Sequence, residues 1–284
     1  MPFDGDVDVT VNKWRLGAIE LGSSSLTASL RERRIQVAPF QGEIFGGMVK
    51  ASLDIDLKGS QPQTRFTGNV GSLNFGQALQ AFGVTGGIGG SADMDVTVLG
   101  HGTNLQEFLK GLTLKLRTNH ITWGFADSIS KNPPHVTLHQ LSLGVSKGGP
   151  IEIAVKGTFQ KKAFGARLMT ASPIELIERK KPWPVSLTAR MSDAVLAAKG
   201  TLNTESPEMG GTVSVSLKGK KLNELYASLP PAGPYHFMAQ ITKEGSRYRM
   251  HDFQSRFGTS DLSGTLEVEI GKGTPQLTGD RRAP

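Results

Sequence analysis

Cysteine is absent from all 284 residues. Disulfides, thiolate zinc sites, iron–sulfur clusters and thiol nucleophiles are excluded with it. Aromatic residues are scarce at 7%, with three Trp and three Tyr scattered along the chain. The basic clusters Arg31–Arg34, Lys161–Lys162, Arg179–Lys181 and Lys218–Lys221 therefore have no interleaved stacking platform, and nucleic acid is not an expected partner. No apolar run approaches the roughly 18 residues of a membrane-crossing helix. The opening residues, Met1 to Asp6, are acidic and do not read as a signal peptide. The chain reads as an excised part of a longer protein.

Catalytic signatures are missing too. No P-loop, GxSxG elbow or HExxH helix occurs. Gly87, Gly89 and Gly90 imitate a dinucleotide fingerprint, but a helix precedes them and a strand follows. That order is the reverse of what a pyrophosphate site requires. Of the histidines at 101, 120, 135, 139, 236 and 251, the pair His135 and His139 would share a strand face. At strand rise they stand roughly 13 Å apart, too far to grip one metal. No cofactor, metal or catalytic residue is expected, and the chain does not read as an enzyme.

What is present is alternation, in short segments separated by turns. Apolar residues at every second position make strands with one apolar and one wet face. Val7, Val9 and Val11 alternate with Asp and Thr; Leu53, Ile55 and Leu57 alternate with Asp. Phe66 and Val70, then Met94, Val96 and Val98, then Leu114 and Leu116 follow. Further on come Ile151, Ile153 and Val155; Leu187; Val213, Val215 and Leu217; and Leu266, Val268 and Ile270. One stretch recurs at a constant offset of 213: Met48, Leu53, Ile55, Leu57, Pro62 and Gln63 match Asp261, Leu266, Val268, Ile270, Pro275 and Gln276. A chain built from copies of one β unit is implied. The abundance of Gly, 35 residues, fits many turns.

Four segments break the alternation with helical spacing. They lie near 72–83, with Ser72 at the N-cap position, and near 104–111, 172–180 and 221–229. Each is too short to stand alone and should cap or pack on the sheet. Two β units are expected, 1–130 with the first two helices and 131–284 with the last two; a continuous sheet through both is possible. Periodicity by itself leaves three architectures open: a barrel, a sandwich, or an open curved groove.

Several stretches, taken in order, resemble the AsmA family of bacterial envelope proteins. Gly5 to Val11 followed by Arg15 to Leu21 is similar to its opening strand and turn. Ile35 to Phe40 and Ile44 to Asp56 resemble its next hairpin. Leu73 to Leu79 and Asn104 to Leu109 resemble its helices. Lys181 to Val185, Gly233 to Tyr235 and Phe253 to Leu266 extend the likeness over nearly the whole chain. The resemblance implies a mainly β fold, an elongated, curved antiparallel groove with a few short helices, with a closed β-sandwich or barrel as the alternative. It implies a non-enzymatic segment, in the periplasm and part of an inner-membrane-anchored protein, that conducts phospholipid between inner and outer membrane. An envelope assembly factor acting through protein contacts is the competing reading. The alternating residues named above would be the lipid-binding lining. Such a lining has a physical purpose, because about 30 methylenes at ~0.8 kcal/mol each oppose moving a diacyl lipid through water. The net charge of +7 would suit anionic headgroups or an ordinary solvated surface.

Overall fold

The computed structural model describes residues 4–16, 19–81, 88–125, 136–203, 210–225, 229–231, 233–269 and 276–282. The chain is mainly β and divides into two compact units, Met1–Lys161 and Lys162–Pro284. In the first unit the strands are β1 (Gly5–Val11), β2 (Trp14–Leu16), β3 (Ile19–Leu21), β4 (Ser24–Arg31), β5 (Arg34–Ile44), β6 (Gly47–Asp56), β7 (Gln63–Asn74), β8 (Ile88–His101), β9 (Thr113–Phe125), β10 (Val136–Val145) and β11 (Glu152–Phe159). Helices α1 (Phe75–Ala81) and α2 (Leu105–Gly111) flank β8. The second unit holds β12 (Lys162–Met169), α3 (Pro173–Glu178), β13 (Trp183–Met191), β14 (Ala194–Leu202), β15 (Gly211–Gly219), β16 (Tyr235–Glu244), β17 (Arg247–Phe257), β18 (Ser260–Glu269) and β19 (Gln276–Arg282).

Each unit is an antiparallel meander. β4 through β11 pair each with the next, and β1 lies outside β4. The β2–β3 hairpin continues that outer pair, with Leu21 opposite Ile44. In the second unit β12 through β19 pair in sequence order. Among the described residues, the end strands of a unit do not pair with each other, so neither sheet closes into a barrel.

Burial removes the sandwich alternative. The largest fully buried side chain among the described residues is that of Thr118. Two sheets packed face to face would hide whole Leu, Ile and Phe side chains in a layer about 10 Å thick. Here the apolar strand residues are mostly half-buried. The densest packing in the first unit is a small cluster of Val49, Val70 and Leu73, against Phe40, Ile44, Phe45, Phe75 and Met94. It sits where α1 follows β7, so it anchors one end of the sheet rather than filling a second layer.

The helices form for local reasons. α2 starts at Asn104, whose side chain accepts from the Glu107 amide at 3.0 Å. It can lie on the strand because Gly100 has no side chain. A Cβ there would stand 2.3 Å from the Phe108 ring. α3 opens with a full capping box: the Glu175 amide donates to Ser172 Oγ at 3.4 Å, and the Ser172 amide donates to Glu175 Oε2 at 2.9 Å. Arg179, at a φ of 51°, closes it.

Two helix expectations change. Ser72 is not a cap: β7 runs on to Asn74, and Ser72 sits at a bulge with a φ of 57°. Asn74 takes the capping role, accepting from the Gln77 amide at 3.0 Å. The Ser72 amide instead donates to Asp93 at 2.9 Å, a partner 21 residues away that local spacing does not reveal. Near 221–229 the described residues form only a short 3-10 turn, Leu222–Glu224, and 226–228 lie outside them.

The repeat is deeper than the sequence pattern showed. β5, β6 and β7 correspond at the 213-residue offset to β17, β18 and β19, and β6 and β18 share both bounds. The pairing matches as well: Arg34 faces Asp56 and Arg247 faces Glu269, while Phe40 faces Ala51 and Phe253 faces Gly264. Even the bulge recurs, between Val37 and Phe40 in one copy and between Met250 and Phe253 in the other. A bulge bends its strand and strengthens local twist, so both copies bend at the same place.

Leu73→Ala should cost about 2–4 kcal/mol in urea unfolding, while Val7→Ala, at a residue 58% exposed, should stay within about 0.5 kcal/mol. Ser172→Ala should cost about 1 kcal/mol through the lost cap. Glu175 is held below its ordinary pKa by the hydrogen bonds from the Ser172 backbone and hydroxyl. Its contribution is therefore complete above the unfolded value near 4.5 and is lost as pH falls through the lower folded value. Glu175→Gln should remove that part of the acid sensitivity, read from urea midpoints between pH 3 and 6.

Candidate functional site: an apolar sheet face

Residues paired across an antiparallel ladder share a face. Following the register therefore shows which side chains come together. In the first unit one row runs Val9, Leu26, Phe40, Ala51, Gly68, Val96, Leu116, Leu143, Ile153. A second runs Val7, Ala28, Val37, Leu53, Phe66, Val98, Leu114, Val145. A third runs Val49, Val70, Met94, Thr118, Leu141, Val155. Each row crosses hydrogen-bonded strands about 4.8 Å apart, so the longest spans roughly 40 Å. Ile55 extends the face between Ile35 and Thr64.

The second unit repeats the arrangement. Leu168, Leu187, Ala198, Val215 and Ala239 form one row. Ala166, Ala189, Leu196, Leu217 and Phe237 form the next. Val185, Gly200, Val213, Ile241, Met250 and Leu266 form a third, and Val268 pairs with Tyr248 beside it.

The structure thus places the expected residues Val7, Val9, Leu53, Ile55, Phe66, Val70, Met94, Val96, Val98, Leu114, Leu116, Ile153 and Val155 on one face of the first unit. Leu187, Val213, Val215, Leu217, Leu266 and Val268 share a face of the second. Val11 lies at the end of β1, opposite Ser24. Leu57 and Ile151 sit just outside the ends of β6 and β11. Ile270 lies outside the described residues.

Sequence reasoning missed Ile35, Val37, Phe40, Leu141, Leu143 and Val145. The reason is the bulges. In β5 the apolar positions are odd up to Val37 and even from Phe40, with the bulge between them. In β10 the shift falls between Leu138 and Gln140. A strict two-residue period loses the strand at such points, although two short half-patterns of opposite parity are a signal that could be sought.

The opposite face is polar and cross-linked. Arg34 Nε donates to Asp54 Oδ1 at 2.8 Å, and the equivalent pair in the repeat, Arg247 and Glu267, stands at 3.0 Å. Ser52 meets Thr67 at 2.7 Å, and Asn69 donates to Asp95 at 2.8 Å. The Arg34 guanidinium holds the Asp54 carboxyl below its ordinary pKa. A cleft of about 940 Å³ opens beside these groups, lined by Arg34, Asp54, Asp56, Arg65, His101, Glu107 and Lys110 among others. Its acid Glu107 is also held below the usual range, by the Thr103 amide and hydroxyl at 2.8 and 2.9 Å. Among the described residues no cluster of three acidic or His side chains could hold a metal ion, and no helix is long and apolar enough to cross a membrane.

No family model matches the chain, and no solved structure matches it. The chain is similar to the AsmA family protein YhjG of Escherichia coli (strain K12), with 31% identity over 109 residues, covering 35% of this chain and 16% of that protein. The match therefore spans about one sixth of that relative's length, and the likeness to the family is a partial one.

Proposed function

We propose that the apolar face shelters the acyl chains of phospholipids and lets them move along it, without covalent chemistry. One observation supports this reading: among the described residues, rows of mostly half-buried apolar side chains cross each unit's sheet, and no second sheet lies over them. Contiguous apolar surface of that extent marks an interaction site in a folded protein. Val, Leu, Ile, Met and Ala offer no directional contacts, so an acyl chain can slide rather than lock. The ion-paired face opposite keeps the other side of the sheet wet. Basic residues such as Arg179 and Lys181, beside the exposed Ile177, suit anionic headgroups. The partial likeness to an AsmA family protein supports a place in the bacterial envelope. On this reading the chain is a periplasmic part of an inner-membrane-anchored protein and works between inner and outer membrane.

The test is lipid extraction and mass spectrometry on the purified chain beside a variant with Ile55, Val96, Ile153 and Val215 changed to Asp. Wild type should carry phospholipid and the variant at least several-fold less, with far-UV circular dichroism unchanged. Lipid-free wild type, when purified from membranes without detergent stripping, would overturn the reading.

A further inference from the structure

The cleft beside Arg34 is floored by two rows of the polar face. Arg34 stands across from Asp56, Asp56 across from Gln63, and Gln63 across from His101. The next row holds Asp54, Arg65, Leu99 and Thr113. Lys110 of α2 and Lys147 of the turn between β10 and β11 belong to the lining as well. Both lysines sit on a pinned frame. The Gly148 amide donates to the Leu112 carbonyl at 2.7 Å, and the Lys147 amide donates to Thr113 Oγ1 at 3.3 Å. A Cβ at Gly148, whose φ is 65°, would stand 2.1 Å from the Lys110 carbonyl oxygen, so turn and helix meet backbone to backbone.

The lining carries four cations, Arg34, Arg65, Lys110 and Lys147, against three acids, Asp54, Asp56 and Glu107. Each acid already has donors. Asp54 takes Arg34 Nε and Nη2, Asp56 takes the Lys58 amide at 2.8 Å, and Glu107 takes the Thr103 amide and hydroxyl. The other three cations are not closed off in this way. Among the described residues the side chains of Arg65, Lys110 and Lys147 make no hydrogen bond or ion pair. Arg65 acts on Asp54, and Lys110 on Glu107, through charge alone. What the ion pairs of the cleft leave over is positive. The second copy of the repeat shows that the sheet does not need this surplus. Arg34 and Asp54 correspond there to Arg247 and Glu267, and their ion pair is kept. Arg65 corresponds to Thr278, which stands across from Glu267 as Arg65 stands across from Asp54. The cations at that corner, Arg247 and Arg249, both close on Glu267. The corner ion pair therefore belongs to the fold of the repeat, and the spare cation at Arg65 belongs to the cleft.

We propose that the cleft binds the phosphate group of a small polyol phosphate ester, either free or as a lipid headgroup. Arg65 offers a planar fork that matches two phosphate oxygens, and Lys110 and Lys147 supply point charges. Thr113 Oγ1 accepts from the Lys147 amide, which leaves its own proton for the ligand. The side-chain amides of Gln61 and Gln63 suit the hydroxyls of the polyol. At about 940 Å³ the cleft has the size of a small-molecule site. It lies on the polar face, so the inference does not rest on the lipid reading of the apolar one.

The probe is glycerol 3-phosphate, titrated into the full chain and followed by amide NMR shifts. Saturable shifts should gather at residues 63–65, 101, 110–113 and 147–148, and glycerol alone should cause none. Arg65→Thr, the residue found in the second copy, and Lys147→Gln should each weaken binding about threefold or more. Both side chains are exposed, so the variants keep the fold, which their urea midpoints check. The same titration with dihexanoylphosphatidylglycerol below its micelle concentration separates the two sources. Tighter binding in the cleft than that of glycerol 3-phosphate identifies a lipid headgroup, and weaker binding identifies a soluble ester. Absence of saturable shifts with both probes at high millimolar concentration overturns the proposal. So do shifts that neither substitution changes, or shifts spread equally over other basic clusters such as 179–181.

Discussion

The register of the antiparallel ladder is the constraint on which the rest of this molecule depends. Side chains alternate along a strand, so a one-residue slip would send every apolar group of that strand to the wet face. Tight turns such as Glu32–Arg33 and Phe45–Gly46, all at positive φ, fix the hairpins and with them the rows. Ion pairs across the polar face, Arg34 with Asp54 and Arg247 with Glu267, favour the same register from the other side. These exposed pairs add little stability each, but a slipped strand would lose them together.

An open sheet forgoes the burial that a second layer would give a folded domain. Without an opposing sheet its apolar side chains are shielded mainly by one another and by the short helices, and the small cluster around Val49, Val70 and Leu73 does what a core does elsewhere. The gain is surface: among the described residues much of the apolar face stays partly exposed, which a sandwich would have covered. The polar cleft opposite holds charges that largely satisfy each other, so the two faces divide the work between apolar contact and solvation.

Duplication explains much of the architecture. Copying the strand group of β1 and β4–β7 as β15–β19 preserves turn positions, bulges and ion pairs together. Because each strand touches mainly its neighbours, such a unit can be added without redesigning a core.

The amino-acid sequence by itself determined the β class, the shared face of most of the alternating apolar positions, the helices near 104–111 and 172–180, and the presence of a repeated strand. All of these are local, set by the two-residue period of a strand or by one turn of helix. Only the tertiary structure decided that the sheets stay open, because alternation looks the same whether the apolar face meets another sheet or none. It also decided the shifts in β5 and β10, the role of Asn74 in place of Ser72, and the full extent of the repeat. Those depend on partners across the ladder, as Ser72 depends on Asp93, and a linear pattern carries no record of which strand lies beside which.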